Sequence, residues 1–185
     1  MSSDILSQID AQRSKLLSTR AVFPHMKESL VGARNCRTAP FYQHHGFDIT
    51  FTFAAPLTAE RIDEINEIGH WINQNYVVRL CALLESYKVI SETRSINTEL
   101  DGHEEVDILR RLRNKFAHTA GWYDPTDSQE KRLRDRIIEH FSLNAENHPE
   151  LRGKFPIPID EVLVPLTEGC KRYVQQLFDC ESRAG

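Results

Sequence analysis

Apolar side chains recur at three- and four-residue steps along most of this chain, which is the period of an α-helix, and alternate strictly in only one place. The longest run is Ile62, Ile65, Ile68, Trp71, Ile72, Tyr76, Val77, Leu80, Cys81, Leu84 and Tyr87. It predicts a helix of about thirty residues, with slack at Gly69. Thr58 opens it, because its hydroxyl can accept from a free amide of the first turn, and Glu60 places negative charge where the helix dipole favours it. The second half is apolar over more than half its circumference, so it is expected to be the central core helix. After a polar connection over residues 91–104, the steps Val106, Leu109, Leu112 and Phe116 predict a second core helix, with Gly121 as its left-handed stop.

The remaining segments complete a helical picture. Asp124-Pro125 can cap a third helix reaching about Phe141, and Asp160 a last one through Leu177, bent near its start by Pro165. Residues 3–19, with Ile5, Ile9, Leu16 and Leu17, suit a short peripheral amphipathic helix. Between Pro24 and Pro56 the alternating Ile49-Thr-Phe-Thr-Phe53 reads as one short strand among loops. The expected fold is all-α, a bundle of four to five main helices spanning residues 57–181. Residues 1–56 form an N-terminal extension containing one short helix and a short strand.

Length and composition narrow the function classes. At 185 residues, 40% hydrophobic and 27% charged, the chain is the size of one domain and is neither disordered nor fibrous in composition. No apolar stretch approaches the roughly 20 residues of a membrane span. The first residues have neither the basic start nor the apolar core of a secretion signal, so a cytoplasmic location without membrane partners is expected. Cys36, Cys81, Cys170 and Cys180 form no metal-binding or redox pair and are expected to be buried thiols. A net charge of −4 argues against indiscriminate nucleic-acid binding over the whole surface. The charge is uneven, however. Residues 57–105 carry ten acidic and four basic side chains, and residues 106–136 carry eight basic and five acidic. Either two solvated helices pair with each other, or the basic segment faces phosphate.

The chemistry is concentrated in Leu109-Arg-Arg-Leu-Arg-Asn-Lys-Phe-Ala-His118-Thr-Ala-Gly121. At about 100° per residue, Leu109, Leu112 and Phe116 define a buried face. Arg113 lies at its margin, and Arg110, Asn114 and His118 follow round one flank, with the small Ala117 between. A half-buried guanidinium needs a carboxylate or phosphate partner to offset desolvation. The dipole favours positive charge in the last turn, where His118 falls. Two other Arg/His pairs have similar spacing. Arg20 to His25 contains Pro24 and is set aside; Arg134 to His140 lies on an expected helix but lacks a following Asn.

Arg113-Asn114-Lys115-Phe116-Ala117-His118 resembles the Arg-Asn-x-x-x-His signature of the HEPN superfamily, the higher eukaryotes and prokaryotes nucleotide-binding domains. The resemblance covers roughly residues 60–180, including the long apolar helix with Leu80-Cys-Ala-Leu-Leu-Glu-Ser-Tyr87 and the segment after Ile157-Pro-Ile-Asp160. It implies a HEPN-like bundle and a metal-independent endoribonuclease, without cofactor, acting as a homodimer with a composite cleft. RNA would be the substrate, in a toxin–antitoxin or phage-defence setting, with an antitoxin protein as a further partner.

By the same resemblance His118 moves the proton of the 2′-hydroxyl or of the leaving 5′-oxygen, Arg113 holds the scissile phosphate, and Asn114 orients the imidazole or the sugar. A carboxylate of the preceding helix accompanies the motif: Glu85 is the candidate, with Arg79 and Glu92 as competitors. Arg110 and Lys115, with Trp122 and Tyr123 as stacking surfaces, are candidate RNA contacts, and Trp71 is a further aromatic that could stack on a base. Lys131, Arg132, Arg134 and Arg136 either guide the backbone or face solvent. Two other classes stay open: a non-catalytic nucleotide- or RNA-binding module, and a structural helical module in which Arg113 pairs with Glu85 and His118 only caps its helix. His44-His45 with His70 or His103 lacks the pairing of a helical metal site.

Overall fold

Six α-helices and a pair of short strands are found among the described residues, which are 2–91, 95–119, 121–144 and 153–184 of a computed structural model. In chain order they are α1 (Ser2–Val22), β1 (Asn35–Arg37), α2 (Pro40–His44), β2 (Thr50–Thr52), α3 (Ala59–Ser86), α4 (His103–Thr119), α5 (Ser128–His140) and α6 (Val164–Ala184). The fold is an all-α bundle with an N-terminal extension, and no helix is long and apolar enough to cross a membrane among the described residues. Helix α3 packs on α1 and α4, and α6 packs on the same two, so four helices close a ring around the core; α5 lies against α4. A hydrogen bond of 2.5 Å between the buried hydroxyls of Tyr76 and Thr167 ties α3 to α6 inside that ring.

The α3 and α4 expectations hold closely. Thr58 Oγ1 accepts from the Arg61 amide at 3.2 Å, and Gly121 adopts φ +81°, as a left-handed stop requires. Other boundaries shift for identifiable reasons. Asp127, not Asp124, caps α5, its carboxylate accepting from the amides of Gln129 and Glu130, while Asp124 closes the preceding turn by accepting from Thr126. Asp160 does not cap α6. The chain enters that helix through a wide π turn, Ile159–Leu163, following Pro158. Pro165 comes immediately after, where its missing N–H and its ring are tolerated, and α6 then runs to Ala184 instead of ending at Leu177. The single expected strand, β2, has an antiparallel partner in β1, with Cys36 opposite Phe51.

The largest departure is α1, which is not peripheral. Ile5, Ile9, Leu16, Leu17 and Ala21 are buried in the same cluster as the cores of α3, α4 and α6. A boundary near residue 56 therefore does not separate two cores. A small satellite cluster of Met26, Leu57 and Ile62 joins the extension to the start of α3. The amphipathic signal of α1 is diluted because Arg13 and Arg20 project from the stripe that carries its apolar residues. Arg13 pairs with Glu168 of α6. The Arg20 guanidinium is buried beside Tyr42 and lies across Gly69, where a Cβ would fall 1.7 Å from Nη1. Gly69 is thus a slot in α3 for an arginine, not slack.

Helices α4 and α6 meet at an equally close contact. Gly102 has φ +86°, and its carbonyl accepts from the Val106 amide to start α4. A Cβ at Gly102 would lie 2.0 Å from the Gly169 carbonyl oxygen, and one at Gly169 would lie 2.3 Å from the Glu105 carboxyl carbon. That carboxylate is buried and receives Arg172 at 3.1 Å.

Candidate functional site

Helices α3 and α4 run antiparallel: Arg113 meets Glu85 near the end of α3, while Gly121, beyond the end of α4, is backed by Gln74 eleven residues earlier on α3. This pairing brings Arg113, Asn114, Glu85 and Cys81 together. Arg113 Nη2 lies 3.6 Å from Glu85 Oε2, and each side chain is 38% exposed. At that distance the pair attracts electrostatically without a hydrogen bond, so Nη2 is held by charge while its protons stay available. Arg113 Nη1 donates to Asn114 Oδ1 at 3.1 Å. Behind Glu85, the Cys81 thiol points to Oε1 at 3.9 Å; burial first, and then the Glu85 charge, push that thiol up to about 12, so it stays protonated and acts as a donor. Glu85 is therefore steadied from below by Cys81 and faced by Arg113 from above. Of its competitors, Arg79 is exposed, and Glu92 lies outside the described residues.

His118 is exposed in the last turn of α4. Five residues separate it from Arg113, which is about 7.5 Å along the axis and about 140° around it. Asn114 stands between them, about 40° from His118. Arg113 leans toward α3 and His118 toward solvent, so a single protomer does not aim both groups at one atom.

The expected accessory contacts divide. Lys115 is committed inside the fold: its Nζ donates at 2.8 Å to Oε1 of the buried Glu130, whose Oε2 accepts from the Asp124 amide at 2.7 Å. Arg110 lies 3.3 Å from Asp107, and Arg111 also bonds Asp107, at 2.8 Å. Arg136 joins α5 to α4 through Glu104 and Asp107; its hydrogen bond holds the Glu104 carboxyl below its ordinary range, and at Asp107, against the upward push of burial, Arg136 and Arg111 together do the same. Much of the basic segment thus pairs with its own acidic neighbours. Tyr123 packs edge-on against Phe155, with the Arg134 guanidinium 5.3 Å from its ring, whereas Trp122 is 60% exposed. Sequence reading missed Glu130, Glu104 and Asp107 as partners; the visible signal was Asp107 and Glu130 interspersed within the basic segment and Glu104 just before it.

Removing the Lys115 amine leaves a buried carboxylate without its counter-charge, which costs about 3 kcal/mol. Lys115→Met is expected to lower the melting temperature by about 6–12 °C for a chain of this size. Scanning calorimetry checks this, and an unchanged melting temperature contradicts the structural role.

The other candidates do not assemble. His44 and His45 stack edge-on at 5.7 Å, and His140 lies 3.5 Å from Glu105. No cluster of three or more His, Cys, Asp or Glu side chains able to hold a metal is found among the described residues. Cys81 and Cys170 are buried as expected, Cys36 is half-buried, and Cys180 departs from the expectation by being exposed near the end of α6. Comparison of the chain with family models, with curated proteins and with solved structures gives no match.

Proposed function

We propose that this protein is a HEPN-like endoribonuclease that cleaves RNA without a metal ion, at a site completed by a second copy of the chain. The observation that carries the reading is the state of Arg113. Its guanidinium is half-exposed, positioned by Asn114 and Glu85, and not consumed by either, on the same helix as an exposed terminal histidine. RNA supplies its own nucleophile. The 2′-oxygen forms a bond to phosphorus as the bond from phosphorus to the 5′-oxygen breaks, leaving a 2′,3′-cyclic phosphate and a 5′-hydroxyl. The protein has only to move a proton and to balance charge on the phosphoryl oxygens.

His118 takes the 2′-hydroxyl proton or delivers one to the 5′-oxygen. Arg113 donates to the phosphoryl oxygens, and Asn114 sets the imidazole or the sugar. The wide angle between Arg113 and His118 supports a homodimer, in which the flank of one α4 faces that of its partner. A toxin–antitoxin or phage-defence setting, with an antitoxin covering the cleft, fits a nuclease that must be restrained in a cytoplasm full of RNA.

The Glu85 carboxylate favours a second reading, because it competes with phosphate for Arg113: a module that binds RNA and leaves it whole. Incubation with single-stranded RNA in excess EDTA separates the two. Discrete fragments on a denaturing gel are expected from the nuclease. RNA retarded on a native gel but intact on the denaturing one identifies the binding module, and the absence of both results removes both readings.

A further inference from the structure

Both tryptophans of the chain, Trp71 and Trp122, line a single cleft of about 220 Å³. Trp71 projects from α3 and Trp122 follows the stop of α4, and they are 63% and 60% exposed. Neither indole is used by the core. The strand-like pairing of Trp122 with Lys154, reinforced by the Tyr123 amide donating to the Gly153 carbonyl at 3.0 Å, fixes the position of the second ring. Below them the His70 Nε2 is buried with no hydrogen-bond partner. Burial first, and then the Lys154 charge, depress His70 to about 4, against an opposing effect of Glu67. The ring is therefore neutral at physiological pH and adds no positive charge to the cleft.

The charge and size of this cleft select its occupant. Its cation, Lys154, is paired with Glu67 and stands 5.6 Å from the Trp122 ring centroid. The rim has no net positive charge for a phosphate. The volume falls below the roughly 300 Å³ at which drug-sized ligand pockets begin, so one planar ring system fits rather than a whole cofactor. We infer that the cleft between Trp71 and Trp122 takes one unstacked nucleobase of single-stranded RNA, stacked against the exposed indole surface.

This rests on the nuclease reading for its ligand class and adds a base-holding subsite to it. The cleft lies past His118 on the antiparallel α3 and α4 pair, with Trp71 about 21 Å along α3 from Glu85. The held base therefore belongs to a nucleotide a few positions from the scissile phosphate, not to the nucleotide that is cut.

Because the only two tryptophans flank the cleft, indole fluorescence reports its occupancy directly. The full-length protein is titrated with a short 2′-O-methyl oligoribonucleotide, which cannot be cut, and with the same backbone lacking bases. Saturable quenching by the base-bearing oligomer is expected, at least tenfold weaker with the abasic one. Trp122→Ala should weaken binding about tenfold, the loss of one base–aromatic stack. Its exposed position keeps the fold intact, which circular dichroism verifies. Equal quenching by both oligomers, or none, overturns the subsite. So does emission that changes only with protein concentration, which assigns the indoles to a contact between copies. The two readings fail separately: cleavage without base-dependent quenching sinks the subsite alone, and quenching without cleavage of ordinary RNA sinks the nuclease alone.

Discussion

His118→Ala is expected to slow RNA cleavage by about 10²–10⁴-fold, the usual worth of a positioned general acid or base. The side chain is exposed at a helix end, so the melting temperature should stay within about 2 °C of the parent. Arg113→Ala removes the group proposed to meet charge developing on the phosphoryl oxygens and should cost about 10²–10³-fold. Its stability penalty is small, at most about 1 kcal/mol, because both members of the Arg113–Glu85 pair are more than a third exposed. The combination distinguishes a site from a scaffold. If Arg113 were a structural ion pair, its removal would move the melting temperature and leave any RNA chemistry alone. Single-turnover rates and calorimetry on the same preparations make the comparison.

The second large effect concerns stability. In Gly102→Ala the methyl group meets the Gly169 carbonyl oxygen at 2.0 Å and the Tyr173 amide nitrogen at 3.1 Å. Backbone atoms cannot swing aside as a side-chain end can. The φ of +86° adds about 1–2 kcal/mol of its own for any residue with a Cβ. Relief requires α4 to back away from α6, opening the core around Val106, Leu109 and Cys170. A loss of about 4 kcal/mol or more is expected, seen as a fall of roughly 8–16 °C in melting temperature or as failure to accumulate folded protein. A fall of less than about 2 °C would show that the two backbones are not in contact. Since α4 carries Arg113 and His118, this variant also loses activity, but through the fold.

The bundle was legible where periodicity and local chemistry agreed. In α3 the apolar repeat, the Thr58 cap and the adjacent Glu60 all point the same way, and the helix begins where they place it. Helix α1 was misread because two arginines occupy its buried stripe, and their positions make sense only beside Gly69 and Glu168, residues distant in sequence. The entry to α6 was misread because Asp160 resembles a cap, while the wide turn ahead of Pro165 replaces one. At the site, helical geometry gave the order of side chains around α4, whereas the choice of Glu85 over Arg79 and Glu92 beside Arg113 came from the family resemblance and stayed open until the packing of α3 on α4 brought Glu85 to 3.6 Å. Helical geometry could not show that Lys115 turns inward to Glu130, because that carboxylate arrives from α5. Nor could it bring His70 and Trp71 opposite Trp122, since a loop–loop bridge to Lys154 sets that distance.

In the proposed reaction Arg113, Asn114 and His118 act on a phosphodiester through the sugar's own hydroxyl. The most direct test is the chemistry of the newly formed 3′ ends when single-stranded RNA is treated with the protein in excess EDTA and the fragments are weighed by mass spectrometry. Expected are 2′,3′-cyclic phosphates facing 5′-hydroxyl ends, absent when His118→Ala replaces the parent. Fragments with free 3′-hydroxyls and 5′-phosphates, or cyclic ends that persist undiminished in His118→Ala, would contradict this reaction.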